Sequence, residues 1–76
     1  MLKVGDRIEL SPYVDDWMRG DRFGSVLSIH KPSHTLVVLM ELSGRKLHVH
    51  FNQIGRINST FVEYRFDAGW VKTKVE

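Results

Sequence analysis

The segment of residues 11–23 combines aromatic rings with carboxylates at close spacing. Aromatic faces can stack on proline or on a cation, and nearby acidic groups favour a cationic ligand. The predicted ligand groove of this segment consists of Tyr13, Asp15, Asp16, Trp17 and Phe23. The alternative is that Tyr13 and Trp17 only cover one end of the core, because large aromatic residues in a small domain are usually buried.

A second set of candidate residues is basic and lies in the second half of the chain. Basic side chains contact phosphates, and exposed rings stack on bases. The predicted nucleic-acid surface consists of Arg45, Lys46, Arg56, Arg65, Lys72, Lys74 and Trp70, with Tyr64 and Phe66 as further rings. The alternative is a solvated charged rim whose aromatic residues pack inside the fold or in a dimer seam.

Histidines form a third candidate group. His48 and His50 are two apart, so they share one face of a strand, and His30 or His34 could approach from the neighbouring strand. Zinc needs three or four ligands at about 2.1 Å from one point. Only Glu41 or Asn52 could complete such a set, so we expect solvated histidines, with no metal and no cofactor.

Composition limits the classes of function. The chain has 76 residues, no cysteine, a formal net charge of +2 and a pI near 9.2. This mild basic excess allows a nucleic-acid partner without requiring one. No nucleophile elbow, phosphate loop or HExxH motif is present, so we expect no enzyme. The apolar run 36–40 is too short for a membrane span, and the first residues lack a signal-peptide core. We therefore expect a cytoplasmic protein.

The elements that must position these residues are short strands. The clearest is a hairpin about Ser43-Gly44, in which Val38 would face Val49. This register turns one apolar set inward, namely Leu36, Val38, Met40, Leu42, Leu47, Val49 and Phe51. A shift of one residue would instead expose that set and bury His48 and His50, so the face assignment is well determined.

Strands are also predicted on either side of this hairpin. The first covers residues 3–10, with Val4, Ile8 and Leu10 pointing inward. The next, over residues 24–30, pairs Ile29 with Leu36 and turns Leu27 inward, whereas Val26 points outward unless a bulge rotates it. Between them we expect a long loop with up to two helical turns, for which Ser11 and Pro12 suit the helix start. The remaining predicted elements are a 3₁₀ turn at 51–54, a short strand at 55–58, and a hairpin around Asp67-Ala68-Gly69 that pairs Phe66 with Trp70 and Val62 with Lys74.

Two local segments resemble a known superfamily. Val4-Gly5-Asp6-Arg7-Ile8 and Arg19-Gly20-Asp21-Arg22-Phe23-Gly24-Ser25-Val26 resemble the first two strands of KOW and Tudor-like small barrels, and are similar to the barrel of the nitrile hydratase β subunit. The resemblance implies an all-β, five-stranded SH3-like barrel over residues 3–57. Residues 58–76 would add a C-terminal hairpin to this single domain, 1–76.

Such barrels are mostly interaction modules, so the resemblance implies binding and not catalysis. Nucleic-acid binding, to DNA or RNA, is the favoured expectation. Protein or peptide recognition through residues 11–23 is one alternative. Self-association through the C-terminal hairpin, which would give a homodimer, is another, because that hairpin carries apolar residues on both faces: Phe61, Val71 and Val75 on one, Val62, Tyr64, Phe66 and Trp70 on the other.

Overall fold

The computed structural model describes residues 2–74, with the backbone alone at residue 74. Its strands are β1 (Arg7–Leu10), β2 (Phe23–His30), β3 (Thr35–Met40), β4 (Lys46–His50), β5 (Ile54–Ile57), β6 (Thr60–Arg65) and β7 (Gly69–Lys74). One α-helical turn, α1 (Asp15–Met18), lies between β1 and β2. Two 3₁₀ turns, Lys31–Ser33 and Phe51–Gln53, follow β2 and β4. The all-β prediction is confirmed.

All seven strands belong to one antiparallel sheet in the order β4-β3-β2-β1-β5-β6-β7. The sheet is open rather than closed into a barrel, because its end strands β4 and β7 are not paired with one another within residues 2–74. Aromatic side chains nevertheless connect the region after β4 to the last two strands. The Phe51 and Trp70 ring centroids are 5.3 Å apart, and those of Tyr64 and Trp70 are 5.2 Å apart.

The core lies on the inner face of this sheet. Strand alternation places β-branched and aliphatic residues there, since successive side chains point to opposite faces. The buried apolar residues are Ile8, Leu10, Val26, Leu36, Val38, Met40, Val49, Phe51, Ile54, Ile57 and Val62. Within residues 2–74, no helix is long and apolar enough to cross a membrane.

A bulge in β2 decides which of its residues enter the core. Ile29 faces Leu36 as predicted. The register then shifts between Val26 and Ser28, so Val26 is buried whereas Leu27 is 39% exposed. The inward placement of Leu27 was wrong, and the bulge that would bring Val26 inside is present.

The β3–β4 hairpin has the predicted faces but a different register. Val38 faces Leu47 and not Val49, a shift of two residues. A two-residue type I′ turn needs positive φ at both central residues. Only Gly44 of the Ser43-Gly44 pair has one (+72°), so the connection is longer, and Met40 donates its amide to the Arg45 carbonyl. Because side chains alternate, a shift of two preserves the buried set, except that Leu42 in the turn is 75% exposed.

The C-terminal hairpin differs in the same way. Trp70 faces Tyr64 and not Phe66, and Lys72 faces Val62. Gly69 pairs with Arg65 at φ +71°, so the connecting loop is residues 66–68 and not 67–69. The prediction for Val75 falls outside the described residues.

The first strand is shorter than predicted, and the loop after it contains one helical turn. β1 begins at Arg7, and Val4 is 62% exposed, so its inward placement was wrong. Ser11 and Pro12 do not start the helix. The Ser11 carbonyl accepts a turn hydrogen bond from the Val14 amide, and α1 follows after Val14 without a side-chain cap.

Candidate nucleic-acid interface

The outer face of the sheet carries the candidate interface. Ile8 and Leu10 of β1 point into the core, so Arg7 and Glu9 point outward. Strand pairing places Glu9 between Phe23 of β2 and Arg56 of β5. The row continues across β6 and β7, and it reads Phe23, Glu9, Arg56, Phe61 and Thr73. An aromatic ring therefore stands on each side of a charged pair.

A second cross-strand row lies beside the first and adds positive charge. It consists of Arg7, Ser25, Leu39 and Lys46, one residue from each of β1, β2, β3 and β4. Arg7 connects the two rows, because its guanidinium carbon lies 4.2 Å from the centre of the Phe23 ring. A depression of about 250 Å³ opens here, lined by Arg7, Ile8, Glu9, Phe23, Arg56 and Ser59.

Trp17 borders the same surface from the loop side. A neighbouring pocket is lined by Glu9, Leu10, Pro12, Trp17, Gly55, Arg56 and Phe61. The Arg22 guanidinium carbon lies 4.5 Å from the centre of a Trp17 ring. Residues predicted for two different sites, Arg56 on one side and Trp17 with Phe23 on the other, thus lie on one surface.

Sequence reasoning missed three residues of this surface, Arg7, Arg22 and Phe61. The alternation Arg7-x-Glu9 beside buried Ile8 indicates that Arg7 points outward. The placement of Phe61 on the same surface depends on β1 pairing with β5, which joins distant parts of the chain and has no local sequence pattern.

Carboxylates of the chain partly balance these arginines. Arg7 donates two hydrogen bonds to Glu41, at 2.7 and 3.1 Å. These bonds raise the pKa of Arg7 and lower that of Glu41. Arg56 lies 3.4 Å from a Glu9 oxygen. The Arg7–Glu41 pair is exposed on both sides and contributes little, so a phosphate can compete for Arg7. The Glu9 side chain is only 15% exposed and is contacted by Arg56 Nε, so a phosphate would be bound by the terminal N–H groups of Arg56 while the pair persists.

Arg45 has a structural role, because it pairs with two aspartates of the chain. Its guanidinium contacts Asp21 at 2.7 Å and Asp16 at 3.3 Å, and the Ser43 hydroxyl donates a further bond to Asp21. The Asp21 side chain is only 5% exposed. The hydrogen bond from Arg45 holds the pKa of Asp21 below its ordinary value. Arg45 therefore ties the β3–β4 turn to the segment that precedes β2.

Three residues of the predicted ligand groove contact arginines of the same chain. Asp16 is paired with Arg45, while Arg22 covers Trp17 and Arg7 covers Phe23. Asp15 lies exposed in α1, and Tyr13 is 96% exposed. The five residues do not enclose one acidic cleft, since their charges and ring faces are largely met by arginines of the same chain.

The remaining predicted basic residues are divided between the two faces. Lys46 and Arg65 are exposed on the outer face, where Arg65 lies 3.7 Å from Glu63. Lys72 and Trp70 point to the other side, because they face Val62 and Tyr64 of the inner face. The Lys74 side chain lies outside the described part of the structure. The predicted set therefore does not form one continuous patch.

The four histidines do not gather at one point. His48 stands exposed opposite Val37, and His30 lies 2.6 Å from the Ser33 hydroxyl. His34 and His50 have ring centroids 6.2 Å apart. In residues 2–74, no three histidine, aspartate or glutamate side chains are grouped so that they could hold a metal ion.

Comparison with known proteins adds no assignment to this geometry. The chain matches no protein-family model, no curated protein and no solved structure.

Proposed function

We propose that this chain is a non-enzymatic binding module for single-stranded nucleic acid. The observation that carries the proposal is the outer-face row in which Phe23 and Phe61 flank the Glu9–Arg56 pair, with Arg7 stacked on Phe23. Aromatic rings supply stacking surfaces for bases, and arginines beside them supply phosphate contacts.

The dimensions of the row support this proposal. Adjacent strands lie about 4.8 Å apart, so the three steps from β2 to β6 separate Phe23 from Phe61 by about 14 Å. A single strand can place a base against Phe61 while its backbone passes Arg56 and the Arg7 guanidinium that lies on Phe23. Phe61 is 46% exposed, and the Arg56 side chain is also 46% exposed, so both are accessible.

Fluorescence anisotropy with labelled oligo-dT and oligo-U tests this function. We expect saturable binding at about 50 mM salt that weakens steeply towards 200 mM, with a slope of about −0.7 for each phosphate contact. Arg56→Ala should reduce the slope by about 0.7. Phe61→Ala should cost about 1–3 kcal/mol of binding free energy with little change in slope, because it removes a stacked base.

Lys72→Ala is the matched control, since it removes an exposed cation from the other side of the sheet. Its affinity should equal that of the wild type. Absence of binding at about 50 mM salt rejects the proposal, because phosphate contacts are strongest at low salt. Equal losses for Arg56→Ala and Lys72→Ala would reject the outer face as the site.

The SH3-like barrel remains our proposal for the fold family. Its support is the chain order of β1, long loop with α1, β2, 3₁₀ turn, β3, turn, β4, 3₁₀ turn and β5. That order is the one expected from the resemblance of residues 3–57 to KOW and Tudor-like barrels. The hairpin β6–β7 then extends the sheet beyond β5.

Self-association through the C-terminal hairpin is a second candidate function. Strand β7 is an edge of the sheet. On the outer face of the hairpin, Phe61 of β6 is 46% exposed and Val71 of β7 is 40% exposed. Unpaired edges with apolar neighbours favour pairing with another chain. Light scattering should then show a dimer that Val71→Lys converts to monomer. A monomer at high concentration would remove this candidate.

A further inference from the structure

A separate pocket lies on the other side of the molecule, between the β2–β3 connection and the C-terminal hairpin. Its volume is about 280 Å³, and its lining residues are Leu2, Ile29, Lys31, His34, Phe51, Tyr64, Phe66, Gly69 and Trp70. It shares no residue with the two outer-face pockets that contain Arg56.

Flat rings form most of the pocket wall. The His34 and Phe66 ring centroids are 4.3 Å apart with 34° between their planes, and Trp70 packs against Phe51 and Tyr64. A hydrogen bond joins the Tyr64 hydroxyl to His34 Nδ1 and fixes two of the rings. Phe66 is 72% exposed, so one large apolar surface stays in water unless something covers it.

The charge of the pocket differs from that of the outer face. Among the lining residues, Lys31 is the one formally charged side chain at neutral pH, and no carboxylate lines the wall. Arg7, Arg45 and Arg56, by contrast, each contact an aspartate or glutamate of the chain. Within residues 2–74, Lys31 forms no ion pair. A positive charge beside an apolar pocket favours an anionic group on the ligand.

We propose that this pocket binds a small molecule made of a planar aromatic ring system and one carboxylate. The ring system enters between Phe66 and Trp70, and the carboxylate reaches Lys31. The size is appropriate, because a cavity of about 150 Å³ already holds a single benzene ring. This site is independent of the nucleic-acid proposal.

NMR titration with 2-naphthoate, with 2-naphthamide as the neutral counterpart of the same shape, tests the proposal. We expect saturable shifts at the Gly69 amide and the Trp70 indole N–H. Naphthoate should bind about fivefold more tightly than naphthamide, as one exposed ion pair predicts. Lys31→Gln should remove that preference and leave naphthamide binding unchanged. Phe66→Ala should weaken both probes roughly tenfold, because stacking is lost.

Lys72→Gln is the control, since it removes an exposed lysine that does not line the pocket. It should leave the preference for naphthoate intact. Lys31 and Phe66 are both exposed, so their replacement should not unfold the chain, and the amide spectrum verifies this directly. Unsaturable shifts, equal affinity for the two probes, or a preference that survives Lys31→Gln would each overturn the proposal.

Discussion

Asp21 is a buried carboxylate whose charge is balanced by a neighbouring arginine. It is 4% exposed, and one of its carboxylate oxygens accepts from Arg45 and Ser43 while the other has no hydrogen-bond partner among the described protein atoms. A buried carboxylate is tolerated when it is paired and hydrogen-bonded. Arg45, predicted from sequence to contact a phosphate, serves here to balance that charge.

Replacing Asp21 should therefore destabilise the fold in a pH-dependent way. The folded-state pKa of Asp21 is lowered by Arg45, so its contribution is fully present above the ordinary aspartate value near 4 and is lost as pH falls through the lowered value. We expect Asp21→Asn to melt at a lower temperature than the wild type at pH 7. The difference should shrink at pH below about 4.

Asp15→Asn is the control for this experiment, because Asp15 is exposed in α1. Its melting temperature should stay near that of the wild type at both pH values. A melting difference for Asp21→Asn that grew on acidification would contradict the assignment of the charge to the Arg45 pair.

At the scale of elements, the packing of β2 against β3 depends on a glycine. A Cβ on Gly24 would lie 2.5 Å from Val38 Cγ1 and 2.7 Å from the Leu39 carbonyl oxygen. The carbonyl belongs to the sheet backbone and has little freedom to move. A Cβ on Gly55 would meet its nearest neighbours at 3.5 Å, which is ordinary contact. A side chain therefore fits at Gly55 but not at Gly24.

Gly24→Ala should consequently destabilise the protein by about 1–3 kcal/mol or more, the range for overpacked cores. Gly55→Ala should change stability by less than about 1 kcal/mol. Urea unfolding followed by circular dichroism measures both. Similar midpoints for the two variants would show that β2 and β3 are further apart than described.

The observed register of the β3–β4 hairpin predicts unequal costs for two leucines. Leu36 is 1% exposed and Leu42 is 75% exposed. Leu36→Ala should cost about 2–5 kcal/mol, through lost burial and the cavity left behind. Leu42→Ala should stay within about 0.5 kcal/mol of the wild type in the same unfolding measurement. A large loss of stability for Leu42→Ala would indicate that Leu42 is buried, as in the predicted two-residue turn, and would contradict the observed register.

These elements also show which features a sequence can predict. Strand faces were predictable, because alternation at Leu36, Val38 and Met40 survives a register shift of two. The registers were not, because turn length depends on which residues adopt positive φ, and Gly44 does so without Ser43. The outer-face site was found only in part, since it needs β1 beside β5.

For the whole molecule, the C-terminal hairpin is part of the core and not an appendage. Val62 is 2% exposed, and Tyr64 and Trp70 pack against the buried cluster. A chain of this size has a net stability of only a few kcal/mol, so one buried valine and two half-buried rings are a large share of it.

A chain that ends at Ser59 should therefore lose cooperative thermal unfolding, because it exposes the surface that β6 and β7 cover. Circular dichroism during heating measures this, and a chain that ends at residue 74 is the control. A sharp transition for the shorter chain, within a few degrees of the control, would show that residues 3–57 fold alone.

The strand order has a kinetic consequence. Strands β2 to β4 and β5 to β7 pair with their neighbours along the chain, whereas Ile8 must find Ile57 after the intervening chain has closed into a loop. Long-range closure carries a loop-entropy cost that local hairpins avoid. The meeting of β1 with β5 should thus set the folding rate, so weakening that contact should slow refolding more than it speeds unfolding.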